Sequence, residues 1–186
     1  MSRPLVLACG ALVSELRAVL AANSLTDAIE VGYLPANLHN RPERIVPTLR
    51  ELVAQHTADD PDRPILVGYA DCGTGGQLDT YLSELPHATR LPGAHCYEFF
   101  AGTELFTRLH DADPGTFYLT DFLAKHFEAI VWQGLGLDRH PQLRDAYFGN
   151  YSTVVLLSQT DDLAVVAAGR SAADRLGLRF EHRHVG

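Results

Sequence analysis

The 186-residue chain has a single lysine, Lys125, a single methionine and a single tryptophan, and its 15 basic residues face 23 acidic ones for a net charge of -8. Almost all of its positive charge is arginine, spread along the chain instead of clustered. A nucleic-acid binder carries a basic stripe or patch that neutralises phosphates, so that class of partner is excluded. No apolar run approaches the roughly 18 residues that a membrane span needs. The N-terminal residues enter a strand-like segment without the apolar core of a signal peptide, which gives the expectation of a cytoplasmic protein without membrane contact.

Cysteine is scarce as well. Cys9, Cys72 and Cys96 are the only three, an odd number set far apart, so a disulfide framework is not expected in a chain long enough to bury a full core. Packing, thiol reactivity or metal ligation is left to account for them. No Walker lysine, G-x-G-x-x-G run, G-x-S-x-G elbow or H-E-x-x-H helix is present, which removes the usual sequence support for nucleotide, serine-hydrolase and metalloprotease readings.

What is there is a regular alternation. Strand-like runs at 4–9, 28–34, 65–69, 116–119, 153–157 and 178–183 are separated by segments of helical periodicity at 11–20, 43–56, 77–85, 99–110, 120–132 and 161–176. Gly177 supplies a C-terminal stop for the last helix. The pattern predicts one α/β domain over residues 1–186, three-layered and doubly wound, with a mostly parallel sheet and helices on both faces. Such sheets bind ligands outside the carboxyl ends of their strands. Cys9 and Cys72 both fall at such ends, each directly before a glycine.

The stretch Asp71-Cys72-Gly73-Thr74-Gly75-Gly76 follows the third strand. Three glycines in four residues mark a loop with unusual backbone geometry. Residues Gly73, Thr74, Gly75 and Gly76 open a helix, so their N–H groups are a candidate cradle for a phosphate or carboxylate, against the alternative of a tight packing turn. The loop at 90–98 is dense in reactive groups: His95, Cys96 and Glu98. Cys9, Cys72, His95 and Cys96 form a candidate metal set of thiolates and imidazole, the donors that zinc takes, with iron the other candidate. Asp71, Glu98 and His39 are candidate acid–base or ligand-orienting groups. The opposing reading is that the cysteines are packed as small hydrophobes.

Two loop triplets, His39-Asn40-Arg41 and Asp138-Arg139-His140, can line a pocket or cap a turn. His126 shares an apolar helical face with Phe122 and Ile130 and is expected to pack there. His182 and His184 alternate on a strand-like segment and are expected at the surface.

The segments Leu7-Ala8-Cys9-Gly10-Ala11-Leu12, Leu38-His39-Asn40-Arg41-Pro42, Gly68-Tyr69-Ala70-Asp71-Cys72-Gly73-Thr74-Gly75-Gly76, Leu91-Pro92-Gly93-Ala94-His95-Cys96-Tyr97-Glu98, Phe117-Tyr118-Leu119-Thr120-Asp121-Phe122 and Gly134-Leu135-Gly136-Leu137-Asp138-Arg139-His140-Pro141 are together similar to the domain-of-unknown-function family numbered 1638. The resemblance implies a stand-alone bacterial or archaeal cytoplasmic protein whose relatives are often encoded near corrinoid-dependent methyltransferase systems. With the thiols, it implies a zinc-binding protein of one-carbon metabolism with a small-molecule substrate and a corrinoid or methyltransferase partner. The alternative is a non-catalytic module that binds a small anion or a corrinoid-related ligand.

Overall fold

The computed structural model describes residues 2–186. It contains a four-stranded and a three-stranded sheet, both parallel throughout, with helices packed around them, so the expected three-layer α/β class holds. The sequence reading treats residues 1–186 as one domain with one sheet. The seven strands are shared between two sheets, and the chain groups into two compact units, Met1–Cys96 and Tyr97–Gly186. Strand membership of a sheet depends on long-range pairing, which hydrophobic periodicity does not encode.

In the first unit, β1 (Leu5–Cys9), α1 (Val13–Ala22), β2 (Glu30–Leu34), α2 (Ile45–His56), β3 (Ile65–Gly68), α3 (Gln77–Leu82) and β4 (Ala88–Arg90) follow one another along the chain. The sheet order is β2-β1-β3-β4. β1 is buried at every position, as a central strand covered on both faces must be. Short 3-10 turns at Ala36–Asn40 and Pro42–Arg44 lead into α2. Pro47 is the third residue of that helix, within the first turn, where its missing N–H has no intrahelical partner to lose. β3 and β1 pair from Leu5↔Ile65 to Ala8↔Gly68. A Cβ at Gly68 would stand 2.7 Å from the Ala8 Cβ, so only glycine allows this approach.

The order reverses at β1. The connection from β1 leads to β2 on one side, while β3 and β4 add on the other, so the loops leaving β1 and β3 diverge at the carboxyl edge. The amino edge is fastened separately. Buried Arg63 donates to the Arg3 carbonyl (2.6 Å), the His56 carbonyl (3.0 Å) and Glu30 Oε2 (2.7 Å), and Glu30 Oε1 meets His56 Nδ1 at 2.8 Å. These bonds tie the starts of the first three strands together and leave the other edge free for loops.

The second unit holds α4 (Tyr97–Ala101), α5 (Thr103–Ala112), β5 (Thr116–Thr120), α6 (Asp121–Lys125), α7 (Leu143–Phe148), β6 (Thr153–Ser158), α8 (Leu163–Leu176) and β7 (Arg179–His184), with sheet order β5-β6-β7. Leu119, Val154, Leu156, Val165, Ala173 and Leu176 form the centre of its core. The helix expected at 99–110 is broken by Gly102, whose φ of +75° suits glycine. The helix expected over 120–132 ends at Lys125, and a π-helical turn, Glu128–Trp132, follows. His126 follows α6 as its C-cap and stays exposed, and its ring packs 4.5 Å from that of Phe122, as the shared helical face leads one to expect. Thr120 Oγ1 caps α6 by accepting from the Leu123 N–H at 3.3 Å.

Candidate functional site

Every candidate residue of the first unit lies at the carboxyl edge of its sheet. Cys9 ends β1; His39 is in the turn after β2; Asp71 through Gly76 follow β3; His95 and Cys96 follow β4. Four strand ends thus deliver the thiols, the imidazoles and the glycine loop to one side of one sheet. Glu98 belongs to the second unit, in the first turn of α4.

The loops after β3 and β4 are laced by their backbones. The Asp71 N–H donates to the Gly93 carbonyl at 3.2 Å, and the Cys72 N–H to the Ala94 carbonyl at 2.9 Å. Cys72 itself has φ +49°, in the left-handed region that costs a residue with a Cβ roughly 1–2 kcal/mol. That turn aims Cys72 back toward the β4 loop, where its sulfur accepts hydrogen bonds from the thiol and the backbone N–H of Cys96. Both cysteines are half-buried and free.

The pair splits the two acidities. The thiol of Cys96, donating to Cys72, holds the Cys72 pKa below the usual thiol value despite burial and the neighbouring Asp71 charge. The same bond, with burial and the Cys72 charge, pushes Cys96 well up. Cys72 is therefore the more acidic thiol of the pair and Cys96 the less acidic one. Cys9 is buried, and burial raises its pKa, opposed by the Ala11 N–H. Its sulfur lies within electrostatic reach of both other cysteines.

The Asp71 carboxylate determines the shape of the glycine loop. Oδ1 accepts from Thr74 Oγ1 at 2.8 Å and from the Gly76 N–H at 2.9 Å, and Oδ2 accepts from the Gly75 N–H at 3.2 Å. These donors, the Gly76 N–H first among them, hold its pKa below the ordinary carboxylate value. The loop N–H groups that suggest an anion cradle in the sequence are directed onto the chain's own carboxylate. Asp71 is thus a charged brace, and an external anion would have to compete with it for Gly75 and Gly76.

Two residues here carry no motif in the sequence. Tyr69 is 3 % exposed and its hydroxyl is without a hydrogen-bond partner at ordinary geometry, although the Cys9 sulfur interacts with it weakly. Burial first, then the charges of the three cysteines, keeps that phenol protonated, hence a donor. Arg90, the last residue of β4, is held by Asp79 through Nη2 to Oδ2 at 2.9 Å and donates Nη1 to the carbonyls of Leu91 (2.8 Å) and Gly93 (3.3 Å). It braces from beneath the same loop that accepts the Asp71 N–H.

His39 has its pKa pushed down, by desolvation first and by the charge of His95 second, so near neutral pH its imidazole is the uncharged form that can accept a proton or ligate. The other triplet, Asp138-Arg139-His140, forms a turn of the second unit in which the Arg139 and His140 N–H groups return to the Gly136 carbonyl. His182 is exposed, as expected, and its Nε2 meets Ser158 Oγ at 2.7 Å. Among the described residues, no three His, Cys, Asp or Glu side chains are arranged to hold a metal ion. No helix among them is long and apolar enough to cross a membrane.

The family described as protein of unknown function (DUF1638) matches residues 33–186. The chain belongs to that family. The match takes in His39, the glycine loop, Cys72, His95 and Cys96, whereas Cys9 stands before its first residue. No curated protein and no solved structure matches the chain.

Proposed function

We propose that the carboxyl-edge loops of the first sheet form a thiolate site that binds a soft metal ion, zinc by default and iron as the other candidate, and serves one-carbon chemistry in the cytoplasm. The observation that carries this reading is the contact of Cys72 with Cys96 across two laced loops, with Cys9 in the same electrostatic field. Sulfur donors of this kind are what zinc and iron select. The donor chemistry fits such an ion; the arrangement as it stands does not close around one. Two thiols are together, and loading requires a third donor to turn in, Cys9 from its place against Tyr69 or an imidazole from His39 or His95.

When bound, such an ion would activate a thiol or water, the chemistry that methyl transfer to or from sulfur needs. The chain's own groups do the rest. Cys72 offers the more acidic thiol of its pair, Tyr69 offers a protonated phenol as donor, and neutral His39 offers a base. The link to a small methyl donor or acceptor, and to a corrinoid or methyltransferase partner, is supported by the family resemblance alone. The alternative of a small-anion or corrinoid-binding module draws little support from the loop, because Asp71 occupies the Gly75 and Gly76 N–H groups.

Elemental analysis of protein purified without an affinity tag tests the metal. The expected result is about one zinc or iron per chain, lost in Cys72→Ser and in Cys96→Ser. Metal-free wild type, or metal content unchanged in both variants, overturns the reading.

A further inference from the structure

We propose that β7 is a self-pairing edge, along which two copies of the chain join their second sheets, antiparallel about a two-fold axis at His182. β7 is the outer strand of the β5-β6-β7 sheet and is paired with β6 over its full length, from Thr153↔Arg179 to Ser158↔His184. The N–H groups of Arg179 and Val185 donate inward, to the carbonyls of Ser152 (3.1 Å) and Ser158 (2.8 Å). Backbone direction alternates along a strand, so Phe180, His182 and His184 turn their N–H and C=O groups away from β6. Among the described residues no strand receives them. β7 has no proline, glycine or lysine to blunt such an edge, and its last three residues are exposed. The other outer strands offer less: β4 has three residues, β5 is buried at four of its five positions, and β2 carries Gly32 at its centre.

Charge complementarity selects a second copy as the occupant. Pairing about a two-fold axis sets each residue opposite the one equally far beyond the axis in the other copy. An axis at Glu181 opposes Glu181 to itself and Arg179 to Arg183, like charges throughout. An axis at Phe180 leaves only Arg179–Glu181 of the strand overlapping. An axis at His182 sets Glu181 of each copy opposite Arg183 of the other, Phe180 opposite His184, and Arg179 opposite the apolar Val185. In that register the outward-facing His182, Phe180 and His184 make the hydrogen-bonded pairs. Glu181 and Arg183 fall in the non-hydrogen-bonded pairs, where opposing side chains stand closer. Within one copy Arg183 Nη2 already meets Glu181 Oε2 at 2.9 Å, so the two share a face of the sheet, and both side chains reach solvent and can turn to the second copy. The joined sheet runs β5-β6-β7-β7-β6-β5. The edge lies in the second unit, and the inference is independent of the metal reading.

Sedimentation velocity of the full chain tests it, over concentrations from about 1 μM to about 1 mM. Wild type is expected to dimerise as concentration rises. Glu181→Arg and Arg183→Glu each put like charges opposite one another and should each weaken the dimer at least about tenfold. Mixed in equal amounts, the two variants should dimerise with each other about as well as wild type, because the mixed pair again opposes each acid to a base. A defect in folding would not be relieved by mixing. In wild type, amide exchange at Phe180, His182 and His184 should slow as the dimer forms, while exchange at Glu181 and Arg183, already bonded to β6, stays the same. Wild type that remains monomeric throughout, a dimer in which those three amides exchange as fast as in the monomer, or variants that fail to recover on mixing, overturns the proposal.

Discussion

The Cys96 thiol donates a hydrogen bond to the sulfur of Cys72, and the two residues stand in the loops that follow different strands, β4 and β3. One hydrogen bond shared by two acids makes the first proton easier to remove and the second harder. In metal-free protein, iodoacetamide should therefore label Cys72 with a midpoint pH below that of an ordinary thiol and Cys96 with one above it. Cys96→Ser replaces the donor by a hydroxyl and should shift the Cys72 midpoint only slightly, whereas Cys96→Ala should move it upward. Peptide-resolved alkylation across pH measures both. Equal midpoints for the two cysteines in wild type would contradict the pairing.

Asp71 gives a second expectation. Asp71→Ala leaves the Gly75 and Gly76 N–H groups and the buried Thr74 hydroxyl without their acceptor, a loss of about 1–3 kcal/mol in unfolding free energy. The sign with pH follows from its lowered pKa. The carboxylate's contribution is full above the ordinary aspartate value of about 3.9 and is lost as pH falls through the lower folded value. Denaturant midpoints of wild type and Asp71→Asn should accordingly differ near neutrality and converge in acid. A constant gap across pH would mean that the charge of Asp71 plays no part.

Much of this arrangement is legible from residues alone, and the parts that are not share a cause. Leu5–Cys9 and Ile65–Gly68 are apolar runs ended by loop signals, so their ends, and with them Cys9 and Cys72, can be placed. Ala88–Arg90 has no β-branched pair and only three residues, and its strand character comes from pairing with β3, a contact 23 residues away at Ile65↔Ala88. Missing that strand hides why Cys96 faces Cys72. The role of Asp71 was within reach: an aspartate followed three positions later by threonine and then two glycines is the pattern of a carboxylate bracing a turn. Tyr69 has no such signal. Its importance lies in burial next to Cys9, which only the fold creates.

Gly68 sets the distance between β1, which ends in Cys9, and β3, which leads to Cys72. A methyl group there meets Ala8 Cβ at 2.7 Å and Ala8 Cα at 3.1 Å, in the centre of the sheet where neither strand can yield cheaply. Gly68→Ala should cost about 1–3 kcal/mol, the range of core overpacking. Ala8→Gly on the same chain removes the opposing methyl and should recover most of that loss. Urea unfolding of the two single variants and the double variant forms the test, and additive destabilisation in the double variant would show that the contact is not the cause.

Arg90 links the fold to the site most directly. Its guanidinium is anchored by Asp79 and passes two N–H contacts to the carbonyls of Leu91 and Gly93, and Gly93 in turn accepts from the Asp71 N–H. Removing it in Arg90→Ala leaves the strand pairing of β4 intact but frees the loop that presents Cys96. Amide exchange at Asp71 and Cys72 should quicken while exchange in β1 stays unchanged, because local opening draws on the bonds nearest the lost brace. The alkylation midpoint of Cys72 should rise in the same variant, since a mobile loop holds the Cys96 donor in place for less of the time. Exchange that quickens equally in β1 would instead mark a general loss of stability, and Arg90 would then be a fold residue with no particular hold on the thiol pair.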